Sequence, residues 1–339
     1  MVATYETKTN YKVVGKTPIR HDGLDKVTGR AVYGGDVKVP GLIWGDVLRS
    51  PHTHARIKGI DTSAAEAMDG VFAVLTNSDF PAADEREVSA GEDTVNLKRD
   101  QTNIMAASKV HYKGHVVAAV AAVDRNTAEE AVNKIKVEYE LLQPISNVDT
   151  AMADDAPIIL EDLIGDHLGE QVTNTNIAKI FRHEFGDVED AFNKSDLVIE
   201  RTVEMSMVHQ GYIEPHNATA IWAEDGNITV WSSTQGSFGV RSQTAGLLGI
   251  PESKVKVNYV EIGGGFGGKT KVYFAPIAAL LSRKSGGRPV KFVMDRSSVF
   301  EASGPAPGGK IRMKIGVNKN GKITAADTDL MLESGGYPG

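Results

Sequence analysis

The run Gly263-Gly264-Gly265-Phe266-Gly267-Gly268-Lys269-Thr270 constrains this chain more than any other stretch. Its five glycines remove nearly every Cβ, so the backbone can bend sharply and bring its N–H groups close to a ligand. Before it, Val255 to Ile262 alternates and is rich in β-branched side chains, which reads as a strand. After it, Tyr273 to Lys284 carries an Ala- and Leu-rich helical pattern. Strand, glycine turn and helix start together suit an anionic group, because the first amides of a helix lack internal partners.

Two nucleotide motifs overlap on this run. Gly263, Gly268, Lys269 and Thr270 satisfy the phosphate-binding pattern of NTPases, with lysine for the phosphates and a hydroxyl for magnesium. The strand Val290 to Asp295 could supply the acidic partner. Gly263, Gly265 and Gly268 also satisfy the dinucleotide pattern, but Asp295 lies 27 residues past the last glycine, beyond the usual spacing. A third possibility is a turn that only lets backbones pack closely.

The rest of the chain narrows these options. With 339 residues, 41% hydrophobic and 24% charged, it has length for sizeable cores of ordinary globular composition. A net charge of −7 argues against a nucleic-acid surface. There is no cysteine, which excludes disulfides, thiol catalysis and iron–sulfur clusters ligated by this chain. The first residues lack the apolar core of a signal peptide, and no apolar run is long enough to span a bilayer. A cytoplasmic location is the default expectation.

In order, residues 1–18 read as an N-terminal arm. Residues 19–145 alternate strands (Leu42–Leu48, Ala55–Ile60, Val71–Leu75, Val116–Val123, Ile135–Glu140) with short helices, one of them at Ala128–Lys134 capped by Asn126 or Thr127. Residues 80–103 are charged and read as a surface excursion. Residues 146–180 are acidic and irregular, a linker. Residues 181–339 contain a long strand at Leu197–Met205, hairpins around Asp225-Gly226-Asn227 and Lys319-Asn320-Gly321-Lys322, and a helix at Phe238–Leu248. The class is α+β. The chain ends straight after a strand, which reads as part of a larger unit.

The ordered landmarks around the glycine run carry a resemblance. Gly-Gly-Gly-Phe-Gly-Gly-Lys is similar to a signature of the xanthine dehydrogenase/aldehyde oxidase family of molybdenum hydroxylases. Asp22–Tyr33 resembles the opening of that family's molybdopterin-binding subunit, and Leu48–Ile57 its next landmark. Glu138–Leu142 resembles the end of its α/β hammerhead domain, and Tyr212–His216 and Ser233–Gln235 the stretches leading into the loop. The resemblance runs from about residue 10 to residue 339 and outweighs the NTPase match.

It implies an N-terminal α/β hammerhead domain over residues 19–145 and the first part of a molybdopterin-binding domain over 181–339. Gly264, Gly265, Phe266, Gly267 and Gly268 would lie against a molybdopterin-type cofactor, of which the cytosine dinucleotide form is one candidate. The family's glutamine that hydrogen-bonds an oxo ligand stands 31 residues before the loop phenylalanine, and that position is Gln235. The metal is held by the pterin, so no protein side chain is a metal ligand. Tyr212, Glu214 and His216 then take structural roles near the site, and His52 and His54 surface or core roles. The glutamate that purine-oxidising members carry four residues after the phenylalanine is Thr270 here, which disfavours a purine. The family's catalytic glutamate lies further downstream than this sequence reaches.

The reaction implied is oxidative hydroxylation of an aldehyde, N-heterocycle or related carbon centre with oxygen from water. Electrons would leave through a partner chain bearing [2Fe-2S] clusters, with an FAD chain as a further candidate. A second molybdopterin-binding chain, or a C-terminal half, would complete the site. A non-catalytic assembly half is a further possibility. In this reading Lys269 loses its phosphate role, and its replacement by alanine is expected to matter little.

Overall fold

The computed structural model describes residues 11–83, 85–89 and 94–338. The expected N-terminal arm lies outside the described residues over 1–10.

A seven-stranded mixed sheet organises the chain. Its order is Val255–Asn258, Ile228–Ser232, Asn217–Trp222, Val290–Val293, Ile43–Arg49, Val116–Ala122, Val71–Thr76. The first four strands come from the C-terminal half and the last three from the N-terminal half. They meet where Ile43 pairs in parallel with Val290. The expected hairpin around Asp225-Gly226-Asn227 is present, with Trp222 opposite Ile228.

Val116–Ala122 is buried along its whole length, because both faces are covered. Ala119 and Ala121 point into the large core, while Ala118, Val120 and Ala122 meet Ala128, Ala131 and Val132. The latter belong to the helix Arg125–Val132, whose N-cap is Asp124, accepting from the Thr127 N–H. The cap expected at Asn126 or Thr127 is thus displaced upstream, since the aspartate already satisfies that amide. On the other side the helix Ala275–Lys284 packs on the strand Asn217–Trp222, with eight consecutive residues, Ala275 to Ser282, buried.

Two stretches differ from expectation. The expected surface excursion at 80–103 ends in a packed helix: Leu97–Ile104 buries Leu97, Asp100, Gln101 and Ile104, and Leu97 and Ile104 join the large core, while Glu85, Arg86, Glu87 and Ser89 are exposed. The 146–180 stretch contains a three-stranded sheet built on Gly165–His167. A short helix, Gly23–Val27, also forms where only turns were expected.

Three strands form a separate sheet, with Gly309–Val317 between Leu197–Met205 and Ile323–Leu332. The register sorts its faces. Glu200 opposes Lys314, and Arg312 bridges Glu200, Asp327 and Asp329 on one face. Ile199 opposes Ile315 and Val203 opposes Ile311 on the other, where Leu197, Ile199, Val203, Met313 and Leu330 remain exposed.

Candidate functional site

Three segments converge beyond the strand Val255–Asn258: residues 212–216, residues 233–235 and the glycine run. The helix does not begin where the run ends. It begins at Ala275, so Lys269 and Thr270 do not stand at a helix N-terminus.

Glu214 joins the three segments. Its Oε2 accepts from the Gly263 N–H at 2.8 Å, the Ser233 hydroxyl at 2.7 Å and Lys269 Nζ at 2.9 Å, and its Oε1 accepts from Asn217 Nδ2 at 3.1 Å. Lys269 Nζ also donates to the Glu214 carbonyl at 2.9 Å and lies 4.8 Å from the centre of the Tyr212 ring. The lysine side chain is 0% exposed. Burial raises the Glu214 pKa, but the Gly263 amide, Lys269 and Ser233 together hold it below its ordinary value. Burial lowers the Lys269 pKa against the upward pull of the carboxylate.

This arrangement removes the phosphate reading of the run. A lysine sealed against a carboxylate cannot reach a nucleotide, and the Thr270 hydroxyl donates to the Gly267 carbonyl at 3.3 Å. It also corrects the expectation that replacing Lys269 is mild: alanine there leaves a buried carboxylate without its counter-charge, a loss of about 3–5 kcal/mol.

Gln235 sits against the loop. Its side-chain Oε1 accepts from the Gly267 N–H at 2.9 Å and the Lys269 N–H at 3.2 Å, while its own backbone N–H donates to the Lys269 carbonyl at 2.9 Å. The oxygen is therefore committed. The Nε2 group has no partner among the described residues, and neither have the N–H groups of Gly264, Gly265 and Phe266. The absent Cβ of Gly265 is what admits Gln235, since a methyl there would lie 2.5 Å from Oε1.

Phe266 has φ +49° and is 73% exposed. It is not a core aromatic beneath the loop. A left-handed conformation costs a bulky residue about 1–3 kcal/mol and marks a place where the surroundings impose shape. Gly264 and Gly267 on either side also have positive φ.

Tyr212 and His216 brace this floor from below, as a structural role requires. The Tyr212 hydroxyl lies 2.5 Å from His216 Nε2 and 3.0 Å from Ser303 Oγ, and burial pushes the His216 pKa down to about 3. Arg296 Nη1 donates to the Tyr212 carbonyl at 2.8 Å. Over the preceding strand, Lys26 pairs with Glu261 at 2.6 Å and the Glu261 N–H donates to the Val32 carbonyl, so the Asp22–Tyr33 motif straps the approach to the loop. His54 is a core histidine whose Nδ1 meets the Gln143 carbonyl at 2.7 Å, and His52 packs edge-on against Tyr139.

One consequence is testable directly. The Gly263→Ala variant places a Cβ 2.4 Å from that of Glu214, against backbone-proximal atoms that cannot swing away. A loss of about 1–3 kcal/mol is expected in chemical denaturation, and an unchanged midpoint would count against this packing.

Gln235 and the loop, singled out together in the sequence, lie against each other here, but the sequence reading missed the Glu214–Lys269 pair. Nothing in the spacing signals it, because the partners are 55 residues apart.

Comparisons with known proteins identify the family. Residues 28–143 match the family model for the aldehyde oxidase and xanthine dehydrogenase a/b hammerhead domain, and residues 169–339 match that for the molybdopterin cofactor-binding domain. The chain is 34% identical over 319 residues to a probable xanthine dehydrogenase subunit of Bacillus subtilis, covering 94% of this chain and 40% of that one. It is 32% identical to the nicotinate dehydrogenase large molybdopterin subunit of Eubacterium barkeri, covering 97% and 72%. Among solved structures, the reconstituted CO dehydrogenase from Oligotropha carboxidovorans superposes with a TM-score of 0.78 at 31% identity, over 93% of this chain and 39% of that one. The chain thus spans from about two fifths to under three quarters of these relatives' length.

Proposed function

The chain belongs to the xanthine dehydrogenase/aldehyde oxidase family of molybdenum hydroxylases, and from that premise we propose that it forms one wall of the active site of such an enzyme. The observation that carries the reading is the set of uncommitted donors: Gln235 Nε2 beside the N–H groups of Gly264, Gly265 and Phe266. Neutral donors without crowding side chains suit a cofactor that is rich in oxygen atoms.

The residues present fit a molybdopterin-type group. A Cβ at Gly265 would fill the space that Gln235 needs, and Gln235 has already turned its oxygen inward. When bound, the group supplies two-electron oxidation of a carbon centre with oxygen taken from water. Gln235 would donate a hydrogen bond to one of its oxygen ligands without adding charge, and Gly264 to Gly268 would line it with backbone. Phe266 would present its ring to the cofactor or substrate side. The cytosine dinucleotide form is our choice between pterin forms.

We assign residues 19–145 to the hammerhead domain, 146–180 to a linker and 181–339 to the first part of the molybdopterin-binding domain. The substrate class is an aldehyde, an N-heterocycle or a related carbon centre. A purine is disfavoured, since Thr270 is no carboxylate and its hydroxyl is turned back to Gly267. The general base and the facing wall belong to a second molybdopterin-binding chain or a C-terminal half. Electrons leave through an iron–sulfur subunit, because this chain offers no cysteine, and then to an FAD subunit. Among the described residues no helix is long and apolar enough to cross a membrane, and we place the complex in the cytoplasm.

Elemental analysis of the purified complex tests the reading. Molybdenum is expected in near-stoichiometric amount, together with water-dependent oxidation of an aldehyde or N-heterocycle. No molybdenum, with thermal stabilisation of the chain by ATP, would overturn it.

A further inference from the structure

We propose that Glu214 and Lys269 are positioning residues: the buried pair sets the angle at which Gln235 and the loop amides are presented. The inference rests on the function proposed above, since presentation matters only if something is bound there.

The wiring supports a role beyond holding the fold together. A single carboxylate oxygen, Glu214 Oε2, takes donors from both ends of the glycine run, Gly263 N–H and Lys269 Nζ, and from Ser233, two residues before Gln235. Lys269 is in turn the residue that Gln235 touches most. Its N–H reaches Gln235 Oε1, and its carbonyl receives the Gln235 N–H and, at 3.1 Å, the Thr234 hydroxyl. Moving the Lys269 side chain therefore moves the peptide group on which Gln235 is hung. The amides of Gly264, Gly265 and Phe266 lie between the two fixed ends and have no other tether among the described residues. Within the run only the Gly267 N–H to Gln235 Oε1 and the Gly268 N–H to the Gly265 carbonyl add to the ties at its ends. The separation of those ends, to which Glu214 contributes through Oε2 and its own carbonyl, therefore bears directly on the shape of the loop.

A structural ion pair and a positioning pair differ in what happens when both charges are removed. Taking one partner away leaves a buried charge, so Glu214→Gln or Lys269→Met alone is expected to lower Tm strongly. The double variant leaves no uncompensated charge and is expected to regain most of that loss. It does not regain the shared oxygen geometry, since the Lys269 donor is gone and the amide nitrogen at position 214 would face Asn217 Nδ2, donor against donor.

In the assembled, molybdenum-loaded enzyme, the double variant should therefore melt near the native temperature. Its kcat should still be lower by about 10- to 100-fold, with KM changed far less and an altered Mo(V) electron paramagnetic resonance signal. Native kcat and a native signal in a double variant with restored Tm would overturn the proposal. Ser233→Ala, which removes one donor from Oε2 and leaves the ion pair, serves if the others fail to fold. It should shift kcat and the signal in the same direction at nearly native Tm, and no shift in either counts against the pair. Limited proteolysis within residues 263–270 gives a reading that needs no metal: faster cleavage in the double variant supports positioning, and a native rate overturns it. Absence of molybdenum from the native complex would sink the proposed function while leaving this last measurement decisive.

Discussion

The Gln235→Glu enzyme is expected to fold and to fill with cofactor like the native one, yet to turn over about 100- to 1000-fold more slowly. The reasoning follows from what each end of the side chain does. Oε1 receives the Gly267 and Lys269 amides, and a carboxylate oxygen accepts from both at least as well. What glutamate lacks is the N–H donor, and it adds a negative charge where the proposed partner is an oxygen ligand. Gln235→Ala removes both functions, so it should lose turnover and loosen the loop as well. Comparing molybdenum content, kcat and Tm for the two variants separates donor from anchor. Native turnover in Gln235→Glu would remove the glutamine from the site.

Acid should destabilise the fold well before its carboxylates titrate. Burial pushes His111 down to about 3, His115 to about 4 and His216 to about 3, all from an ordinary 6.5. In the unfolded chain each takes a proton near pH 6.5, while in the folded chain each stays neutral. Depressed values of this kind contribute stability that is complete above pH 6.5 and is lost as pH falls toward the folded values. Asp100 works the other way. Buried and with Oδ2 unpartnered, it is pushed up to about 7 from 3.8, so it binds a proton in the folded state that the unfolded state has released. Three histidines against one aspartate leave a net approaching two protons below about pH 5.5, a slope of about 3 kcal/mol per pH unit between there and pH 4. His54 and His209, also lowered by burial, add in the same direction. Urea unfolding at pH 6.5, 5.5 and 4.5 measures this, and a flat midpoint across that range would refute it.

Much of the fold is legible in local pattern. The strand Leu197–Met205 occupies the span its alternation marks, and both hairpins form where Asp-Gly-Asn and Lys-Asn-Gly-Lys stand. Local pattern fails where burial and polarity disagree. The helix Leu97–Ile104 turns Asp100 and Gln101 inward beside Leu97 and Ile104, so its inward stripe reads as charged in sequence. Long-range pairing is equally hidden: nothing near Ile43 announces a parallel partner at Val290. In the candidate site, the loop is visible because its backbone needs are written in glycine, and Gln235 is singled out only through the family resemblance. Lys269 is misread because a lysine suggests solvent or phosphate, and only the fold reveals that Glu214 has enclosed it.

The small three-stranded sheet has a bearing on how any of these measurements is made. Its charged face is self-satisfied through Arg312, but Leu197, Ile199, Val203 and Leu330 leave the opposite face oily and wet. An oily surface in water lowers its free energy by finding another of its kind, and identical copies offer one at every collision. Purified by itself, the chain would be limited by colloidal behaviour and not by unfolding. Turbidity rising with concentration at constant secondary structure would be its signature. Co-production with the partner chains proposed above is then expected to keep the protein in solution.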